Sequence, residues 1–219
     1  MTELRCKEII NRFHLKKELF EQLCLFLGYD INLEKMLCNG ITALYSRVKI
    51  IELFREKLLS LNINITIEDL TKIFDDVNYI FYENMIEYTK PIVEAIDFVK
   101  RLKGKNIKIG IVTSDSVEST KLTLKSFNWE NLFDVAIGRE CSNETKESGA
   151  LTKIALKALN ACPETTLMIG DAPMDYLSAK NANVDNVILC ATGQISKEEL
   201  VKTTKFVVDE LTEIEIKIN

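Results

Sequence analysis

The sequence predicts an α/β protein, in which a parallel sheet wound with helices follows an all-α unit. Two observations carry that expectation. Residues 1–88 repeat their apolar positions every three or four residues, the helical period, whereas from Pro91 onward short β-branched runs alternate with helical stretches. Strands separated by helices of this length imply right-handed crossovers and a parallel sheet. The change of pattern falls near Glu87 to Lys90, giving a helical domain over residues 1–88 and an α/β domain over residues 89–219.

In the first domain one apolar stripe runs through Leu19, Phe20, Leu23, Phe26 and Leu27, and another through Val48, Ile51, Leu53, Phe54 and Leu58. Thr66-Ile67-Glu68-Asp69 opens a third helix, with Thr66 as N-cap and acids in the first turn. Its stripe is Leu70, Ile73, Phe74, Val77, Ile80 and Phe81, while Gly28 and Gly40 punctuate the helices. No strong strand is expected here. In the second domain Pro91 suits the first position of a helix through Leu102 that Gly104 ends. Ile107–Val112, Phe133–Ile137, Thr166–Ile169, Asn186–Cys190 and Phe206–Val208 read as strands. Helices are expected over about Val117–Phe127, Ala150–Asn160 and Asp175–Ala182, and Ser196-x-x-Glu199 reads as a capping box opening a short one.

Composition narrows the function classes. A hydrophobic share of 47% with 28% charged residues is that of a soluble globular protein large enough for a substantial core. A formal net charge of -5 and the lack of any basic cluster argue against nucleic acid as partner. No apolar run is long enough to span a bilayer, and the charged first residues do not form a signal peptide, so no membrane partner and a cytoplasmic location are expected. The six cysteines are scattered without a C-x-x-C pair and read as buried small hydrophobes. His14, the single histidine, reads as a helix-surface or packing residue.

Chemistry concentrates where the strands end. Leu167-Met168-Ile169-Gly170-Asp171-Ala172-Pro173-Met174-Asp175 is a short apolar strand, a tight turn and a helix start carrying two carboxylates. The carboxyl ends of parallel strands are where ligands bind in such sheets. Paired carboxylates suit Mg2+, a hard cation that keeps several waters and binds substrate phosphate. Simple strand termination by Asp171 and helix capping by Asp175 fit the same residues. Another strand delivers Thr113-Ser114-Asp115, a hydroxyl followed by backbone amides entering a helix, which is a cradle for phosphate as well as a helix cap. Lys146, in the loop Asn143–Gly149, reaches the same edge with a charge that neutralises phosphate, or else is simply solvated.

The order strand-Thr, Lys, strand-Gly-Asp-x-x-x-Asp resembles the haloacid dehalogenase superfamily, whose members are mostly Mg2+-dependent phosphatases. Ile109–Thr113 is similar to its second motif, Lys146 to its third and Gly170–Asp175 to its fourth, over a core of about residues 90–212. The resemblance implies a Rossmann-like core and makes residues 1–88 a helical cap that covers the site and selects the substrate. It implies hydrolysis of a small phosphorylated metabolite, with Thr113, Ser114, Asp115 and Lys146 on the substrate and Asp171 and Asp175 on Mg2+. Thr113 and Lys146 would be the catalytic pair.

The superfamily's first motif, Asp-x-Asp ending the central strand, is not found. Before Thr113, the acids Asp30, Asp69, Asp75, Asp76 and Asp97 lie in expected helices or loops. The leading Asp of that motif is the nucleophile, so the chain is expected to be incomplete at its N-terminal side and inactive alone. The alternative is a noncatalytic binding or regulatory module. The central strand is also expected to be missing, which would force the strands bearing Thr113 and Asp171 to pair directly or leave backbone groups unpaired.

Overall fold

The computed structural model describes residues 1–37, 40–45, 47–215 and 217. The chain divides into two compact units, Met1–Tyr88 and Thr89–Asn219. No helix among the described residues is long and apolar enough to cross a membrane.

The first unit is helical. It comprises α1 (Thr2–Arg12), α2 (Leu19–Leu27), a hairpin of β1 (Tyr29–Asp30) and β2 (Lys35–Met36), α3 (Ile41–Leu44), α4 (Arg47–Ser60), α5 (Ile67–Glu83) and α6 (Met85–Tyr88). Its core joins Cys6, Ile9, Leu23, Leu27, Phe54 and Phe74, with Phe54 against both Phe26 and Phe74. The helical spacing predicts most of this core, but Val48 is exposed and Ile50 takes its place on the buried side of α4. Thr66 caps α5 as expected, its Oγ1 accepting the Asp69 N–H at 3.0 Å. The antiparallel hairpin was not expected from the sequence, because strands of two residues leave no periodicity to read. Its turn is set by Asp30, whose Oδ1 accepts the N–H groups of Asn32 and Leu33. His14 is exposed just past α1 in the left-handed conformation (φ 49°), not on a helix.

The second unit follows as α7 (Val93–Lys103), β3 (Gly110–Val112), α8 (Val117–Ser126), β4 (Val135–Ile137), α9 (Ala150–Leu159), β5 (Leu167–Gly170), α10 (Pro173–Lys180), β6 (Asn186–Cys190), α11 (Lys197–Leu200) and β7 (Val207–Val208). Helix α7 starts two residues after Pro91, with Ile92 at the N-cap. Ser196 holds the N-cap of α11 without a side-chain capping bond, so the expected box does not form. Cys141 and Cys162 are exposed, which corrects the expectation that the cysteines are buried; Cys6, Cys24 and Cys190 are buried, and Cys38 lies outside the described residues.

All strand pairs here are parallel, but they form two separate sheets, β3-β4 and β5-β6-β7. No strand among the described residues pairs with the other edge of β3 or of β5. The apolar core divides in the same way. Leu156, Ala179, Val187, Leu189 and Leu200 form one cluster, and Ile137, Leu151 and Ala155 another. Helix α9 contributes to both and packs on β3, β4 and α10, while α10 packs on β5 and β6. Ile111, Val112, Met168 and Ile169 are only half-buried, although strands of a parallel sheet are normally covered on both faces.

Candidate active site

The acidic turn is built by Asp175. Pro173 is the first residue of α10, which fixes the backbone angle where the helix begins and has no N–H to satisfy. Asp175, two residues on, turns its carboxylate back over the turn. Its Oδ2 accepts the N–H groups of Asp171 (3.0 Å) and Ala172 (3.1 Å). Its Oδ1 meets Lys146 Nζ at 2.6 Å, and the side chains are 8% and 15% exposed respectively. Asp175 therefore caps the helix and anchors the lysine together. Gly170 permits this, because a Cβ there would overlap the Asp175 carboxylate.

Lys146 is delivered by a 3-10 turn, Lys146–Ser148, that is tied to α10. Asn181 Nδ2 donates to Glu147 O at 2.7 Å, and the buried hydroxyls of Thr152 and Ser178 bond at 2.7 Å just beneath. These contacts hold the lysine over the first turn of α10.

Asp171 is exposed, unlike Asp175. Partial desolvation first, and then the neighbouring negative charge of Asp175, raise its pKa above the ordinary carboxylate value. A carboxylate with open oxygens and a destabilised charge is suited to a cation. Gly193, in the loop after β6, faces it closely enough that a Cβ would overlap the Asp171 carboxylate. Sequence reasoning missed Gly193; its only signal was a glycine just past the carboxyl end of a parallel strand.

Thr113 continues β3, its N–H donating to Ile137 O at 3.0 Å. Ser114 Oγ lies 4.0 Å from Met174 Sδ, so the loop after β3 adjoins the turn carrying Asp171 and Asp175. Thr113, Lys146, Asp171 and Asp175 thus gather at the carboxyl ends of the strands. The amides that the sequence offers as a phosphate cradle are largely engaged. Asp115 N–H donates to Thr113 Oγ1, Val117 N–H to Glu140 Oε1 and Ser119 N–H to Ser116 Oγ. A cavity of about 320 Å³ in the same unit is lined by Phe98, Leu102, Thr212 and Ile214 among others, and by none of these residues.

For Mg2+, the donor set is two carboxylates of unequal availability. No group of three or more His, Cys, Asp or Glu side chains capable of holding a metal occurs among the described residues. Two carboxylates completed by water and substrate oxygens still fit an ion that dehydrates reluctantly. The Asp171 carboxylate is exposed and accepts no hydrogen bond from another side chain among the described residues, while Asp175 is taken up by three protein donors.

The haloacid dehalogenase-like hydrolase family matches residues 9–189, and the chain belongs to that family. A PpaX protein of Caldanaerobacter subterraneus is 35% identical over 120 residues, 55% of this chain and 53% of that one. The phosphoglycolate phosphatase of Aquifex aeolicus is 26% identical over 160 residues, 73% of this chain and 68% of that protein. The chain spans about half the length of the PpaX relatives it matches. Two solved structures share the fold. A haloacid dehalogenase hydrolase of family IA, variant 3, from Entamoeba histolytica has a TM-score of 0.64 at 18% identity, covering 98% of this chain and 88% of that one. CbbY from Rhodobacter sphaeroides, in complex with phosphate, has a TM-score of 0.61 at 16% identity, covering 97% and 88%.

Proposed function

We propose that the chain carries the metal- and phosphate-binding part of a Mg2+-dependent phosphatase for a small phosphorylated metabolite. The observation that carries this reading is the buried Lys146–Asp175 pair beside an exposed Asp171 at the ends of parallel strands. Relatives named pyrophosphatase and phosphoglycolate phosphatase support hydrolysis over a noncatalytic role. The helical unit serves as the cap domain and the α/β unit as the core.

Bound Mg2+ would screen the charge of a phosphate ester and align it for in-line attack. Asp171 would hold it directly, with waters and phosphate oxygens in the remaining positions. Asp175 would act through the others, fixing the turn beneath Asp171 and aiming Lys146. An ammonium has three donors, so Lys146 can keep Asp175 and still donate to phosphate. Thr113 and Ser114 would place further oxygens of the substrate, as Asp115 and its loop frame the edge. The nucleophile expected from the family resemblance, an Asp-x-Asp on an apolar strand, is not supplied by the acids before Thr113. Asp69, Asp75 and Asp76 lie in α5, Asp97 in α7 and Asp30 in the hairpin.

Calorimetric titration of the chain with Mg2+ should show binding that Asp171→Asn abolishes. Fusion of an apolar strand ending in Asp-x-Asp ahead of Met1 should give Mg2+-dependent hydrolysis of phosphate esters. Unchanged Mg2+ affinity in Asp171→Asn, or a fused protein that binds Mg2+ but hydrolyses nothing in a broad phosphate-ester panel, refutes the assignment.

A further inference from the structure

Arg5 is out of place in the core of the helical unit. It projects from α1, only 9% exposed, with its Cζ 4.2 Å from the centroid of the Phe74 ring. One nitrogen, Nη2, donates to Asn78 Oδ1 at 3.1 Å and to Met1 Sδ at 3.4 Å. The buried Nε has no partner among the described residues. A guanidinium has five donors, and here they meet one amide oxygen, one weak sulfur acceptor and a ring face, with no carboxylate bonded. Buried charges in proteins are ordinarily paired.

A second guanidinium adds to the imbalance. Arg47, the first residue of α4, donates to Asp75 Oδ1 at 2.5 Å and to Thr71 O at 3.3 Å. Thr71, Phe74, Asp75 and Asn78 follow the helical repeat along one face of α5, so both arginines attach to the same stripe. Burial first, and then the positive charge of Arg47, hold the pKa of Arg5 down to about 10. The acid bonded to Arg47 is largely solvent-exposed, and among the described residues no acid is bonded to Arg5.

We infer that Arg5 and Arg47 form a receptor for a small oxyanion within the helical unit, binding the planar or tetrahedral oxygens of a carboxylate or phosphate. Guanidinium forks match both shapes. An oxygen between the arginines supplies an acceptor for Arg5 Nε and offsets the repulsion between the two charges. Met1 and Asp75, both exposed at their outer parts, are the groups an arriving anion displaces. The site lies wholly in the first unit and does not depend on the phosphatase reading.

The test is NMR titration of the full chain, following the Arg5 Nε–H signal, assigned by its loss in Arg5→Lys, with inorganic phosphate and separately with acetate. A saturable shift is expected. Arg47→Gln, at a half-exposed position, should weaken it about tenfold or more, as loss of a charge-assisted hydrogen bond requires. Asp75→Asn, which removes the competing carboxylate, should tighten it. Saturation by phosphate alone identifies a tetrahedral anion, by acetate alone a planar one, and by both a general oxyanion site; each supports the proposal. Asp171→Asn should leave the titration unchanged, which separates this site from the strand ends. No saturable shift with either anion, indifference to Arg47→Gln, or no tightening in Asp75→Asn overturns it.

Discussion

Asp175→Asn tests the internal logic of the site most directly. The substitution keeps the shape of the side chain and removes its charge. One of its ends must then present an NH2 group either to the Lys146 ammonium or to the two backbone N–H groups that Asp175 now satisfies. Removing one partner of a buried ion pair costs about 3–5 kcal/mol, because the other charge is left uncompensated. The slight solvent access of Lys146, 15%, favours the lower end, so about 3 kcal/mol is expected. For a chain of this size that corresponds to a fall in Tm of roughly 6–12 °C. Trp129 is the sole tryptophan and lies in the α/β unit, stacked on Phe127 with ring centroids 4.7 Å apart. Its fluorescence in urea therefore follows the unit that contains the pair, independently of the helical unit. Lys146→Met should cost less, since Asp175 retains two amide donors, and the double variant should show a coupling of about 1–3 kcal/mol. A loss below about 1 kcal/mol in Asp175→Asn, or strict additivity in the double variant, would show that the pair does not hold the turn.

Three other outcomes follow from particular contacts. Gly193→Ala places a Cβ against the Asp171 carboxylate and should weaken Mg2+ binding about 10–100-fold by calorimetry, as disturbance of a ligand's support does, while leaving the Trp129 unfolding midpoint nearly unchanged. Asp134 accepts from Lys103 Nζ and Ile109 N–H, which lowers its folded pKa. Its contribution is therefore complete above the unfolded pKa and is lost as pH falls through the folded value. Because the pair is partly exposed it should amount to less than about 1 kcal/mol, read as extra acid sensitivity that Asp134→Asn lacks. Thr66→Ala removes the cap of α5 and should destabilise the helical unit by about 1 kcal/mol, measured by thermal circular dichroism.

Helical stripes were the easiest features to read, because period and burial agree along α2 and along α5 as far as Val77, although Ile80, expected on the same stripe, is exposed near the end of the helix. Strand β6 was legible to the residue, since Asn186–Cys190 is a β-branched run bounded by turn residues. Ile107–Val112 proved shorter, with only Gly110–Val112 paired. A β-branched run signals burial and extension, but ladder length depends on a neighbouring strand that sequence does not display. The types and order of Thr113, Lys146, Asp171 and Asp175 pointed to one sheet edge. Their division of labour was not legible. That Asp175 is consumed by Lys146 and two amides, leaving Asp171 open, follows from the turn geometry at Gly170, and that Glu140 occupies an amide of α8 follows from a contact 23 residues away in sequence. Nor did any pattern disclose Arg5, whose burial among Phe74 and Asn78 depends on how α1 and α5 pack.

The borders of β3 and β5, which no strand among the described residues pairs, have a consequence for how this chain behaves in solution. Each offers a ladder of amides and carbonyls in an apolar setting, and such ladders recruit any extended polypeptide that meets them. The purified chain should therefore be prone to self-association, increasing with concentration. A short β-branched peptide able to lie alongside Ile111 or Ile169 should compete with that process, in the manner of β-strand addition. Self-association should then respond more to such a peptide than to a change in the net charge of the chain.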